Sequence, residues 1–215
     1  MPATGNPGTA TVNKAAMSPA GSSTDCQELD QANQNRRTEL ANRTSAQRLV
    51  GPEKKGRGTT VSSVKRTPLS GGRTKFRSAH NNHKALEKCP KTLSPGGSRS
   101  VRTGTTPTLC GNYSHPSPPS WAMQKSGHAE ARLLDELMNG APRRMTFNID
   151  WRPKTGKASK MPCDACHRLI CAALDCKHEI TLCAKGNQPV PINQQHCPAT
   201  DTSYAQLKAD MGEDL

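Results

Sequence analysis

Aromatic side chains are scarce in this chain: two Trp, two Tyr and two Phe among 215 residues, with a hydrophobic fraction of only 32%. A sequence so poor in apolar groups cannot offset the ordering entropy of its whole length, so only part of it is expected to pack around a core. No run of about eighteen apolar residues occurs, which excludes a membrane-spanning helix, and no membrane partner is expected. The polar stretch from Met1 to Ala20 lacks the apolar centre of a secretory signal peptide. A cytoplasmic site of action is therefore expected, with passage through a dedicated export system left open.

Acidic residues are few in the first half. Residues 1–120 hold 18 Lys and Arg against 6 Asp and Glu, whereas residues 121–215 hold 12 against 11, so nearly all of the net charge of +13 sits N-terminally. Such a flank can contact nucleic-acid phosphates through charge alone, or it can be a solvated linker; both readings stand. Residues 1–57 are expected to be largely disordered, with a weak helix between Ser23 and Val50 on the sparse anchors Leu29, Leu40 and Leu49. Residues 58–104 read as a basic Gly/Ser/Pro-rich linker, marked by Ser-Gly-Gly at 70–72 and Pro-Gly-Gly at 95–97, in which Thr60–Val64 could add a strand.

From about Thr105 the pattern becomes that of a folded unit. Thr105–Tyr113 and Trp121–Gln124 suggest a hairpin, and His128–Met138 places Leu133, Leu134 and Leu137 at helical spacing. Arg144–Trp151 alternates Met145, Phe147, Ile149 and Trp151 with Thr146, Asn148 and Asp150, the period of a strand. Pro162 stands where a second helix would start, with Leu169, Ile170, Ala173 and Leu174 on its apolar face. Glu179–Cys183 reads as a strand and Thr202–Met211 as a last helix carrying Tyr204, Leu207 and Met211. The alternation predicts an α/β fold, with helices packed on a sheet over residues 105–215.

Nine cysteines are present, six of them between Cys163 and Cys197. The odd total and the lack of a signal peptide favour a reducing compartment and metal-ligating thiolates over a disulfide framework. Cys171 and Cys176 are expected to be small buried thiols on the inner side of the helix.

Two short strings carry the chemistry: Gly127-His128-Ala129-Glu130 and Pro162-Cys163-Asp164-Ala165-Cys166. Either alone occurs often by chance, but the pair H-x-E and P-C-x-x-C, in this order and each opening a helix, is the signature of zinc-dependent nucleobase deaminases. Over about 110 residues the chain resembles the cytidine-deaminase superfamily. The strings HAEARLL at 128–134 and PCDACHRLICAAL at 162–174 look most like the bacterial polymorphic-toxin and effector branch. The resemblance implies a three-layer deaminase-like sheet with packed helices, Zn2+ held by His128, Cys163 and Cys166, and Glu130 as the proton-transferring group. It further implies a nucleic-acid or nucleotide substrate, with cytosine converted to uracil, and for a toxin an immunity protein as partner.

Elementary chemistry agrees with that assignment. Cys163 and Cys166, three apart at a helix start, place their sulfurs on one face, and the unpaired N–H groups there favour thiolates. Three protein ligands leave the fourth tetrahedral position for water, as a catalytic zinc site requires. The same residues admit other readings. A structural zinc site could draw in Cys171, Cys176, His178 or Cys183 and make the chain a non-catalytic module of a nucleic-acid-binding protein. A thioredoxin-like redox pair would not need the upstream H-x-E. Cys163-Asp-Ala-Cys166-His167 also matches c-type haem attachment, and the CxxCH ending is similar to the plant organellar editing branch of the deaminases. Trp121, Phe147 and Trp151 are candidates to stack on a base, although the strand period places Phe147 and Trp151 in the core.

Overall fold

The computed structural model describes residues 21–42, 59–80, 108–109, 113–114, 128–130, 133–134, 141–153 and 157–213. Its elements, in chain order, are α1 (Ser23–Asn42), β1 (Thr59–Pro68), β2 (Lys75–His80), β3 (Thr108–Leu109), β4 (Tyr113–Ser114), β5 (Arg143–Arg152), α2 (Asp164–Asp175), β6 (Glu179–Cys183), β7 (Pro189–Pro191) and α3 (Asp201–Asp210). Residues 129–130 and 133–134 are also helical. Five strands form a mixed sheet in the order β2-β1-β5-β6-β7, and β3 pairs with β4 as a separate short ribbon. The fold is therefore α/β, as the alternation predicted.

β5 is the centre of the sheet, and its alternation decides what lies on either side. Met145, Phe147 and Ile149 are buried in one apolar cluster with Leu133 and Leu134, with Leu169, Ile170 and Ala173 of α2, and with Leu207 of α3. Each such side chain contributes roughly 1.5–3 kcal/mol on removal from water. β5 and β6 run parallel in the register Met145↔Ile180 and Phe147↔Leu182, and parallel neighbours need a crossover, which α2 supplies. α2 starts with Cys163 as an extended N-cap, and the first helical bond runs from His167 N to Cys163 O at 2.8 Å. α3 is opened by a capping box between Thr200 and Ser203.

The other face of β5 is polar and is covered by α1. Asn33 donates to the backbone and side-chain oxygens of Asn148 at 3.0 and 3.1 Å, and Asn148 in turn donates to Cys26 O at 3.0 Å. Arg37 pairs with Asp150, Lys65 with Asp25, and Lys160 with Asp30. Among the described residues, Cys26 and Leu29 of α1 form an apolar contact here with Cys183, and a disulfide joins Cys26 to Cys183. Gly21, with φ +70°, lets the chain enter α1 close to the sheet, since a Cβ there would lie 2.8 Å from Thr181 Cγ2.

Two expectations are corrected. The stretch around Leu29 is not disordered but a twenty-residue helix docked on the sheet. The supposed linker over 58–104 contains β1 and β2, which pair antiparallel with β5 and with each other, and Ser70-Gly71-Gly72 serves their connection rather than a domain boundary. Buried Thr60, Ser62 and Ser63 make β1 a polar inner strand, so hydrophobic counting undervalued it. Among the described residues the folded unit thus begins near residue 21 rather than at 105. The strand expected over Thr105–Tyr113 is instead turned back on itself, β3 pairing with β4 so that Leu109 stands opposite Tyr113, and its expected partner Trp121–Gln124 lies outside the described residues. No helix among the described residues is long and apolar enough to cross a membrane.

Candidate metal centre

The start of α2 and residues 128–130 meet at the edge of the apolar cluster. Here His128 Nδ1 stands 3.3 Å from Cys163 Sγ and 3.6 Å from Cys166 Sγ. The three donor atoms lie within 4.8 Å of one another. Ligands bound tetrahedrally to zinc at about 2.0 Å through nitrogen and 2.3 Å through sulfur would stand about 3.5 Å apart, so this triangle fits a zinc-sized ion. Cys166 is fully buried, whereas His128 and Cys163 are only partly so, which leaves one side of the triangle open.

The thiols are prepared for such a role. Cys163 is held down to about 4, chiefly by its hydrogen bond with Cys166, against the opposing effect of burial, with further help from His128. Cys163 and Cys166 are the free cysteines among the described residues.

Glu130 follows His128 by two residues and is buried beside the triangle. Burial pushes its carboxyl up to about 7; its backbone hydrogen bond and His128 act in the opposite direction. Its Oε2 has no hydrogen-bond partner, an unsatisfied buried oxygen next to three metal-ligand groups. A carboxyl poised near neutrality can both take and give a proton at physiological pH. Glu130 does not belong to the metal-ligand group.

Two further contacts fix the segment ahead of α2. Trp151 and Ser159 exchange backbone bonds of 3.0 and 2.9 Å, folding the loop back on β5. Tyr204 of α3 donates its hydroxyl to Pro162 O at 2.7 Å, directly before Cys163. Burial, then the nearby charges of Cys163 and Asp164, push that phenol up to about 12, so it remains a donor. The sequence marked Tyr204 only as a core residue of the last helix; no motif announces its bond to Pro162.

The remaining cysteines overturn the expectation of free thiols. Cys171 is bonded to Cys197 and Cys26 to Cys183, and Cys176 is disulfide-bonded as well. The argument for a reducing compartment therefore falls, because disulfides persist where the surroundings are oxidising. Cys171, Cys176 and Cys183 are thus not available to extend the His128 group. His178 accepts from Arg143 N at 3.1 Å through Nδ1. His167, the last residue of the CxxCH string, is directed to His196 O at 2.8 Å instead of joining His128.

Of the stacking candidates, Phe147 is buried in the core and Trp151 is exposed; Trp121 lies outside the described residues. Exposed Lys75, Phe76 and Arg77 of β2 give the described part of the basic flank one aromatic among cations. The arrangement as a whole is a His/Cys/Cys group that could hold a metal ion, with a neutral-range carboxyl at its side. No family model, curated protein or solved structure matches the chain.

Proposed function

We propose that His128, Glu130, Cys163 and Cys166 form the centre of a zinc-dependent hydrolytic deaminase that converts an amino-bearing nucleobase, cytosine foremost, to its keto form in nucleic acid or nucleotide. One observation carries the reading: two motifs 33 residues apart converge as three soft or borderline donors in ligand-to-ligand contact, with an unpartnered, buried carboxyl oxygen beside them. A purely structural site would call for a fourth protein ligand, and none joins this group among the described residues.

Zinc held by His128, Cys163 and Cys166 would supply the Lewis acidity that makes water a nucleophile near neutral pH. Glu130 does the proton work. Its carboxylate accepts the proton shed by the water, and its acid form hands that proton first to the ring nitrogen and then to the departing amine. The balance is one water consumed and one ammonia released, with C=O replacing C–NH2. Burial raises the carboxyl toward neutrality, while a bound cation would favour its ionised, proton-accepting form, so the two effects together suit transfer in both directions. Tyr204, through Pro162, keeps Cys163 at the helix start where its sulfur meets Cys166 and His128.

The flank supports the substrate class. Lys75, Phe76 and Arg77 are exposed side by side on β2. Cations beside an accessible aromatic suit a phosphodiester chain with an extruded base. A role as a toxin or effector, with an immunity protein as partner, belongs to the same proposal.

Expression of the full chain in a bacterium lacking uracil-DNA glycosylase, followed by sequencing of DNA and RNA, tests the reading. Cytosine-to-thymine or cytosine-to-uracil changes are expected, and Glu130→Gln should lower them about 100-fold or more while leaving one zinc per chain. A purified, zinc-loaded chain that releases no ammonia from oligonucleotides, nucleotides or nucleosides would sink it and leave a non-catalytic zinc module.

A further inference from the structure

Directly after Cys166, α2 carries a second imidazole, with a sulfur one turn further on the same face. His167 and Cys171 are four apart, and Cys197 reaches them from the segment between β7 and α3. His167 Nε2 stands 3.6 Å from Cys171 Sγ, the separation found between His128 Nδ1 and Cys166 Sγ in the first group. The Nε2 atom and both sulfurs lie within 4.8 Å of one another. His167 Nε2 donates to His196 O at 2.8 Å, and that oxygen lies 3.5 Å from Cys171 Sγ, so the imidazole nitrogen is held toward the sulfurs by a bond that a cation would replace. His196 itself is held by Asp210 at 2.8 Å and by the backbone N of Asn193 at 3.3 Å. The two sulfurs are spent on each other in the Cys171–Cys197 disulfide.

Access separates this disulfide from the one between Cys26 and Cys183. Cys171 and Cys197 line a cavity of about 970 Å³ together with Arg168, Asp175 and Asn193. Cys26 and Cys183 are 0% and 1% exposed beneath α1. A small thiol or a metal ion can reach the first pair from solvent and not the second. The cavity lining includes none of His128, Glu130, Cys163 and Cys166, so it is not the opening of the first site.

We infer that His167, Cys171 and Cys197 form a second, redox-gated site for a soft divalent cation of the zinc class, closed by the disulfide and opened by a thiol reductant. Two reductant thiols deliver two electrons and two protons to Cys171–Cys197, leaving two cysteine thiols and the reductant's own disulfide. The cation then binds both thiolates with release of two protons; the Nε2–H bond to His196 O is given up, that proton moves to the unpartnered Nδ1, and Nε2 takes the cation. Thiolate and imidazole donors select such ions over magnesium or calcium. The inference does not rest on the deaminase reading, and a chain with no deaminase activity could still possess this site.

Zinc uptake by the full chain, measured per chain before and after limited anaerobic treatment with a dithiol, tests it, with peptide-level alkylation reporting which cysteines have been freed. Wild type should rise from one equivalent to two. The Cys163→Ser/Cys166→Ser variant should rise from none to one, and Cys197→Ser should never exceed the single equivalent of the first site. A second equivalent that survives Cys197→Ser overturns the inference. So does a dithiol-treated chain, still folded by circular dichroism, with Cys171 and Cys197 free but no added zinc. Should the double variant fail to fold, zinc in reduced wild type must shield Cys171 and Cys197 from alkylation, and equal labelling with and without zinc overturns the inference as well.

Discussion

The two faces of β5 are held by different physics. On one, Met145, Phe147 and Ile149 enter an apolar cluster that also anchors α2 and residues 133–134, and so supports the metal-ligand triangle. On the other, Asn148 and Asp150 meet α1 through directional hydrogen bonds and ion pairs backed by one disulfide. Burial is non-directional and tolerates small shifts, whereas a buried polar interface stabilises only when its groups stay matched. The site thus stands on the tolerant side, and the covalent tie stands on the side that hydrophobic burial supports least.

Phe147→Ala should produce the largest effect, a loss of about 3–5 kcal/mol in urea unfolding, because the ring is 1% exposed in the centre of the cluster. Its neighbour Thr146, facing the other way, should cost only about 1 kcal/mol as Thr146→Ala. Equal losses would erase the distinction between the faces. Cys26→Ser should cost about 2–4 kcal/mol, since the bond to Cys183 closes a loop with a sequence separation of 157 residues. Zinc content should stay at one equivalent, and a loss of metal would mean that α1 supports both faces.

Arg37→Met sharpens the polar side, with an expected cost of about 2–3 kcal/mol at neutral pH from stranding the Asp150 carboxylate. The two partners respond oppositely to their environment. Burial lowers Arg37, while Asp150 is lowered because Arg37 and then Arg152 outweigh the burial that would raise it. Arg37 stays cationic throughout, so the carboxylate sets the pH dependence. A depressed carboxyl contributes stability above its unfolded value of 3.8 and loses it as pH falls through the lower folded value. The wild-type advantage over Arg37→Met should therefore shrink in acid, as read from urea midpoints at pH 3 and pH 7.

This contrast also explains what the sequence disclosed. β5, α2, β6 and α3 lie within one or two residues of their expected positions, because each presents an apolar stripe of the right period. His128, Cys163 and Cys166 were legible as a group through the paired H-x-E and P-C-x-x-C motifs, and the structure places them in contact. α1 and β1 were legible only as a weak helix and a possible strand, and β2 not at all. α1 buries Cys26, Leu29 and Asn33, a stripe with a single large aliphatic, and β1 buries Thr60, Ser62 and Ser63. Their stability resides in partners more than a hundred residues away, such as Asn33 with Asn148, which no local window can register. Disulfide partners are hidden for the same reason: nothing in the spacing of nine cysteines couples Cys26 to Cys183.

The smallest expected effect lies on the apolar face and concerns Glu130 as a charge rather than as a reagent. Its folded value of about 7 lies above the ordinary 4.5, with burial the main cause. A raised carboxyl favours the folded state fully below the unfolded value and loses that contribution as pH climbs through the folded one. In chain stripped of metal by a chelator, wild type should therefore weaken between pH 5 and pH 8.5 relative to Glu130→Gln, which keeps the shape and cannot ionise. The difference should be about 1–3 kcal/mol. Bound zinc should shrink it, because a cation next to the carboxylate favours the ionised form. Urea midpoints of both chains at the two pH values, with and without zinc, give the comparison. A constant difference across pH would mean that water solvates Glu130 and that the apolar side does not shelter the carboxyl.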